Sequence, residues 1–151
     1  MSIFSTETIV LQLAAKDKQD ALTQLAKRIE AAGKLQPGEF DNYMLSLLKR
    51  EEEFSTAVGY NYAIPHGKSP AVAMPAVAFA RLTQPILWDE EEDDWAENLF
   101  MIAVPAASAG DEHIKILTKL AAAIMDDDFR EHIDQAKDAT EVLDIMHKFT
   151  A

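Results

Sequence analysis

Cysteine is absent from the 151-residue chain, which excludes disulfides, thiolate nucleophiles and cysteine-ligated metal together. Cations are scarce: 14 Lys plus Arg stand against 26 Asp plus Glu, a formal charge of −12. Neutralising a phosphate backbone takes clustered lysine and arginine, so a nucleic-acid role is excluded, and an anionic membrane surface would repel the chain. No apolar run approaches the roughly 18 residues that a bilayer-spanning helix needs. The opening residues, Met1 to Glu7, have neither the basic start nor the apolar block of a signal peptide. The five glycines are too scattered for a dinucleotide fingerprint, and no G-x-x-x-x-G-K-[ST] phosphate loop occurs. His-Glu-x-x-His is missing, and no serine sits in a nucleophile elbow. Apolar residues nevertheless make up 48%, a globular share with enough length to bury a core without staples. These features predict one cytoplasmic domain over residues 1–151, with no membrane insertion.

What is present falls into three stretches. Asp17 is placed as an N-cap, and Leu22, Leu25, Ala26 and Ile29 recur at helical spacing up to Gly33, predicting a helix from Lys18 to Ala32. After the Pro37-Gly38 turn, a second helix is predicted from Asp41 to Glu52, with Tyr43, Met44, Leu47 and Leu48 on one face. From Phe54 to Pro75 only short apolar pieces occur. Ala76–Leu82 and Leu99–Val104 read as strands, separated by Trp88 to Trp95 with six consecutive carboxylates that must be exposed. A third helix opens at Asp111, with apolar positions over more than half its circumference, so it is expected to be largely buried. Asp126-Asp127-Asp128-Phe129 starts a short helix, and Glu141 sits as in a capping box for the last one. Helices first, strands in the middle and helices last predict an α/β fold: a single-domain three-layer α/β/α sandwich around a mixed, partly antiparallel sheet.

Four histidines are the main reactive candidates. Pro65 fixes its own φ and pushes Ile64 toward extended geometry, so His66 emerges from a stiff segment. Gly67 lets a partner approach, and Lys68 adds a cation. That pattern suits a nucleophilic imidazole with anion-binding support, although a plain turn that happens to hold a histidine has the same pattern. His113 falls in the first turn of the third helix, where amide N–H groups welcome an anion and imidazolium is disfavoured; a polar residue near a helix cap is the plainer reading. His132 and His147 lie among charges and read as surface residues. Two histidines that each follow a strand and a small-residue loop could converge at one end of a sheet, where α/β proteins place their sites.

At Ile64-Pro65-His66-Gly67-Lys68 the chain resembles the phosphohistidine motif of the fructose/mannitol-type (type 2) enzyme IIA domains of the bacterial phosphoenolpyruvate-dependent sugar phosphotransferase system. Arg50-Glu51-Glu52, Ser55-Thr56, the strand from Ala76 to Leu82, Leu99–Pro105, Asp111–Leu117 and Asp126–Phe129 follow in the family's order, so the resemblance covers almost the whole chain. It implies that His66 accepts a phosphoryl group from HPr and passes it to an enzyme IIB. It implies that His113 contacts that group, that Arg50 helps hold the anion, and that Thr56 places a hydroxyl near the site. Many members read close to G-I-G-N-G-I-A-I-P-H; here Tyr62 stands in place of a frequent glycine, so backbone freedom there is expected to be lower and an aromatic ring is expected to line the cleft.

In-line attack by a neutral imidazole needs mostly positioning and donors aimed at the phosphoryl oxygens, so no cofactor and no metal are expected. The acid run from Asp89 to Asp94 lacks the glycine turn of a calcium loop. Three other readings are compatible with the sequence: the nitrogen-regulatory branch of the same family, a metal-dependent hydrolase using His66 and His113, and a binding module in which both histidines are incidental.

Overall fold

The computed structural model describes residues 3–107 and 112–150, with the backbone alone for 112–114. Its elements run β1 (Phe4–Leu13), α1 (Lys18–Ala31), α2 (Phe40–Glu53), β2 (Ala57–Gly59), β3 (Tyr62–Ala63), β4 (His66–Ser69), β5 (Ala76–Asp89), β6 (Asp94–Pro105), α3 (Glu112–Ile124), α4 (Asp127–Gln135) and α5 (Ala139–Thr150). One six-stranded sheet has the order β1-β5-β6-β3-β2, and β4 also pairs with β6. β5 and β6 form an antiparallel hairpin, while β1 joins β5, and β3 and β4 join β6, in parallel. The sheet is therefore mixed, as the element pattern predicts.

Side-chain alternation along β6 builds the three layers. Leu99, Met101 and Ala103 face Leu22, Leu25, Ile29, Tyr43 and Leu47 of α1 and α2. Phe100, Ile102 and Val104 face Leu120, Phe129, Ile133, Val142 and Met146 of α3 to α5. Phe100 is fully buried between Phe79, Tyr62 and Phe129, and burying one such ring contributes about 2 kcal/mol.

The helix ends follow local chemistry. Asp17 Oδ1 accepts from Asp20 N at 2.8 Å, the predicted N-cap of α1. Asp126 caps α4 in the same way. At α5, Asp138 accepts from the Glu141 amide, and Glu141 in turn accepts from the Lys137 amide, one residue earlier than in a strict capping box.

Four features differ from the sequence-based expectation. The chain starts with a strand, β1, rather than with helices. β5 and β6 extend well beyond the apolar cores of the two predicted strands, and the acid run forms the turn between them. α3 is not largely buried: Lys115, Thr118 and Lys119 are exposed and Ile116, Leu117 and Ala121 only half-buried. The fourth feature is the β2–β3 connection. Tyr60 (φ 59°) and Asn61 (φ 67°) are both left-handed and form a two-residue type I′ turn. The backbone freedom required there falls on residues 59–61, not on Tyr62.

Candidate active site

β3 and β4 are two pieces of one line. Tyr62 lies opposite Asn98, and His66 lies opposite Ile102, so the register on β6 is unchanged across Ile64 and Pro65. Pro65 has no N–H and interrupts the ladder, but its carbonyl accepts from Ile102 N at 2.9 Å. His66 is thereby mounted on the central hairpin at the start of β4.

The imidazole is oriented by its own strand. His66 Nδ1 lies 2.9 Å from the carbonyl oxygen of Ile64. A carbonyl only accepts, so Nδ1 carries the ring proton of the neutral imidazole and Nε2 has the lone pair. Ile64 is held in turn, its N–H donating to the Thr56 carbonyl at 2.9 Å.

Gly67 sets the distance to α2. A Cβ there would collide with Ser46 Oγ and crowd Tyr43 Cε1 at 3.3 Å. The glycine thus lets α2 lie directly against β4, and the Tyr43 hydroxyl reaches beneath it to donate to the Ile102 carbonyl at 3.2 Å. Burial pushes the Tyr43 phenol far above its ordinary pKa, so it stays a neutral donor.

The result is a cleft of about 360 Å³ between α2 and β4, lined by Ser46, Lys49, Arg50, Glu53, His66, Gly67 and Lys68. The α2 residues are spaced i, i+3, i+4 and i+7, one face of the helix. Arg50 Nη1 donates to the Phe54 carbonyl at 2.6 Å, which closes the helix end and fixes the guanidinium. Arg50 and His66, two of the expected site residues, line the same cleft. The sequence reading does not single out Ser46 and Lys49, although Ser46 stands four residues before Arg50 and three before Lys49, the spacing that marks one helix face.

Thr56 is buried and does not line this cleft. Its hydroxyl donates to Glu51 Oε1 and accepts from Trp88 Nε1 at 3.2 Å. Glu51 also takes the Thr56 amide and pairs with Lys18 at 2.9 Å. That network ties the end of α2 to α1 and β5, and Thr56 reaches the histidine through its carbonyl and Ile64. Tyr62 is buried too, stacked on Phe100, and the expected aromatic wall of the cleft is not formed by it. The His113 backbone is in the first turn of α3, as expected, while its side chain lies outside the described residues. His132 and His147 are exposed. Among the described residues, no group of three His, Asp or Glu side chains is placed to hold a metal ion.

Beside the cleft lies a second, larger depression of about 710 Å³. Glu51 to Phe54, Asp89 to Glu92 and Asp94 line it, with Lys18 and Trp88, and Glu53 lines both. Phe54 stands 77% exposed there. Five of the six carboxylates of the acid run thus line a depression next to the histidine cleft, with Glu90 to Asp93 exposed and Asp89 and Asp94 half-buried.

The family model described as "Phosphoenolpyruvate-dependent sugar phosphotransferase system, EIIA 2" matches residues 2–149. The PTS system fructose-specific EIIA component of Haloferax volcanii is 37% identical over 145 residues, covering 96% of this chain and 92% of that protein. Other relatives are longer, and the chain spans 22% of one and 17% of another. The crystal structure of the nitrogen regulatory protein IIA-Ntr from Neisseria meningitidis superimposes with a TM-score of 0.85 at 28% identity, covering 95% of this chain and 96% of that one. The enzyme IIA of the complex of enzyme IIAMtl and phosphorylated enzyme IIBMtl from Escherichia coli gives 0.79 at 27% identity, covering 96% and 99%.

Proposed function

The chain belongs to the EIIA 2 family of the phosphoenolpyruvate-dependent sugar phosphotransferase system, and from that membership we propose that His66 is its phosphoryl-carrying residue, loaded by phospho-HPr and discharged to an enzyme IIB that serves a fructose/mannitol-type sugar. The observation that carries this reading is the 2.9 Å bond from Nδ1 to the Ile64 carbonyl, which puts the lone pair on Nε2 in a cleft with three cations.

The step balances simply. The Nε2 lone pair of neutral His66 forms a bond to phosphorus while the N–P bond of the donor phosphohistidine breaks, and its electron pair returns to the donor ring. The proton on Nδ1 stays where it is. Charge in the loose transition state is spread over three phosphoryl oxygens, so catalysis is positioning plus cations and donors directed at those oxygens. Arg50 is one such cation; His113, from the first turn of α3, is the proposed further contact. Thr56 acts on this site through its backbone. The proposal places the chain in the cytoplasm, as one domain over residues 1–151.

The sugar-specific reading is supported by 37% identity to a fructose-specific EIIA component. A nitrogen-regulatory role is the second reading, favoured by the TM-score of 0.85 to IIA-Ntr. Incubation with enzyme I, HPr and labelled phosphoenolpyruvate tests the common core: acid-labile label is expected on the wild type and not on His66→Ala. Label that survives the substitution would defeat it. Adding a fructose-type IIB then separates the branches, since only a sugar-specific protein discharges onto it.

A further inference from the structure

Lys49 on α2 and Lys68 on β4 both line the cleft. Lys68 follows His66 by two residues on β4, so both side chains leave the strand on the face away from α2, which Gly67 meets; β4 pairs with β6 alone among the described strands, and the cleft that both residues line with α2 lies at its other edge. Lys49 comes from α2, next to Arg50. Ser46 stands between, but its hydroxyl already donates to the Tyr43 carbonyl at 2.7 Å, so it supplies wall rather than a donor. Lys49, Arg50 and Lys68 make no ion pair among the described residues. Glu51, adjacent to Arg50 in sequence, is instead drawn away to Lys18. With Glu53 as the one carboxylate, the lining carries a net +2 within a chain of −12. A phosphoryl group brings about −1.5 to −2.

We propose that Lys49 and Lys68 form a two-sided cation clamp that holds the phosphoryl group on His66, an inference that rests on the reading of His66 as the carrier. Lys68 stabilises the group from the strand that bears the histidine. Lys49 and Arg50 close on it from the helix. The clamp neutralises the transferred charge locally, so an acidic protein can take up a further anion.

Labelled phosphoramidate tests this without any partner protein. Its own N–P bond breaks, the pair leaves with ammonia, and the Nε2 lone pair forms the new N–P bond. Lys49→Gln and Lys68→Gln, both at exposed positions, are each expected to slow labelling of His66 about two- to fivefold, the range of exposed charge pairs. The double variant should slow it about tenfold, and Lys49→Arg and Lys68→Arg should restore it. Lys137→Gln, exposed between α4 and α5, removes the same charge and should label like wild type. Phosphorus NMR of the phosphoprotein adds a readout that folding alone does not move: the pKa of the phosphoryl group should rise in both glutamine variants. Variants that match the Lys137→Gln control, or that arginine does not rescue, overturn the clamp and leave the carrier reading intact. Wild type unlabelled at His66 by phosphoramidate and by phospho-HPr alike overturns both.

Discussion

The imidazole of His66 is bonded through Nδ1 to the carbonyl of Ile64, two residues before it, at 2.9 Å. The nitrogen proposed to bond to phosphorus, Nε2, is therefore set by backbone geometry. Phosphorylated protein labelled with nitrogen-15 in its histidines should show coupling between phosphorus and Nε2 of His66, with Nδ1 still protonated. Coupling to Nδ1 would refute this assignment.

Gly67→Ala should destabilise the protein by about 1–3 kcal/mol, the usual cost of overpacking, because the new Cβ meets Ser46 Oγ. Ser46→Ala removes that oxygen and leaves its own Cβ at 3.4 Å from the added methyl carbon. The double variant should recover most of the loss. Denaturant melts of the four proteins measure the coupling, and strictly additive effects would show that the collision is not the cause.

Two buried phenols should respond oppositely to loss of the hydroxyl. Tyr43→Phe leaves the Ile102 carbonyl without its donor and should cost about 1–2 kcal/mol. The Tyr62 hydroxyl has no hydrogen-bond partner among the described residues, so Tyr62→Phe should be neutral or stabilising by denaturant titration. Both phenols have folded pKa values raised above the unfolded value near 10, mainly by burial. Their stabilising contribution is complete below about pH 10. Above that the unfolded chain ionises first, and stability should fall by up to ~1.4 kcal/mol per pH unit for each phenol. Tyr43→Phe should flatten that alkaline limb.

Loading by phospho-HPr should slow several-fold as salt is added, because the acidic depression beside the cleft steers a basic partner. Replacing Glu90, Glu91 and Glu92 by Gln should lower the low-salt rate and reduce the salt slope, with labelling by phosphoramidate unchanged. A stopped-flow or rapid-quench series measures both, and a rate indifferent to salt would count against steering.

The layers were legible because α1, α2 and α5 carry plain helical periods and the cores of β5 and β6 are apolar throughout. β1 was missed because Ser5, Thr6 and Glu7 break its pattern before Ile9; its strand state comes from pairing with β5, which local sequence does not encode. α3 was overestimated because an apolar surface wider than its buried stripe cannot be told from a buried one by period alone. At the candidate site, the Ile64–Lys68 motif singles out His66, and the structure puts Arg50 in the same cleft. The Ser46–Gly67 contact was invisible, since it depends on how closely a helix approaches a strand. The sequence points to the hydroxyl of Thr56, whereas in the structure it is the Thr56 carbonyl that holds Ile64.

The sheet also implies an order of assembly. Partners in the β5–β6 hairpin are near in sequence, from Asp89 opposite Asp94 out to Ala76 opposite Ala103, so this ribbon closes with the least loss of chain entropy. β4 then needs only a modest loop to lie along β6. β1 must wait for Phe4 to find Val77, across nearly half the chain. A nascent platform for His66 is thus expected to gain hydrogen-exchange protection early in refolding, before the amino-terminal strand completes the sheet.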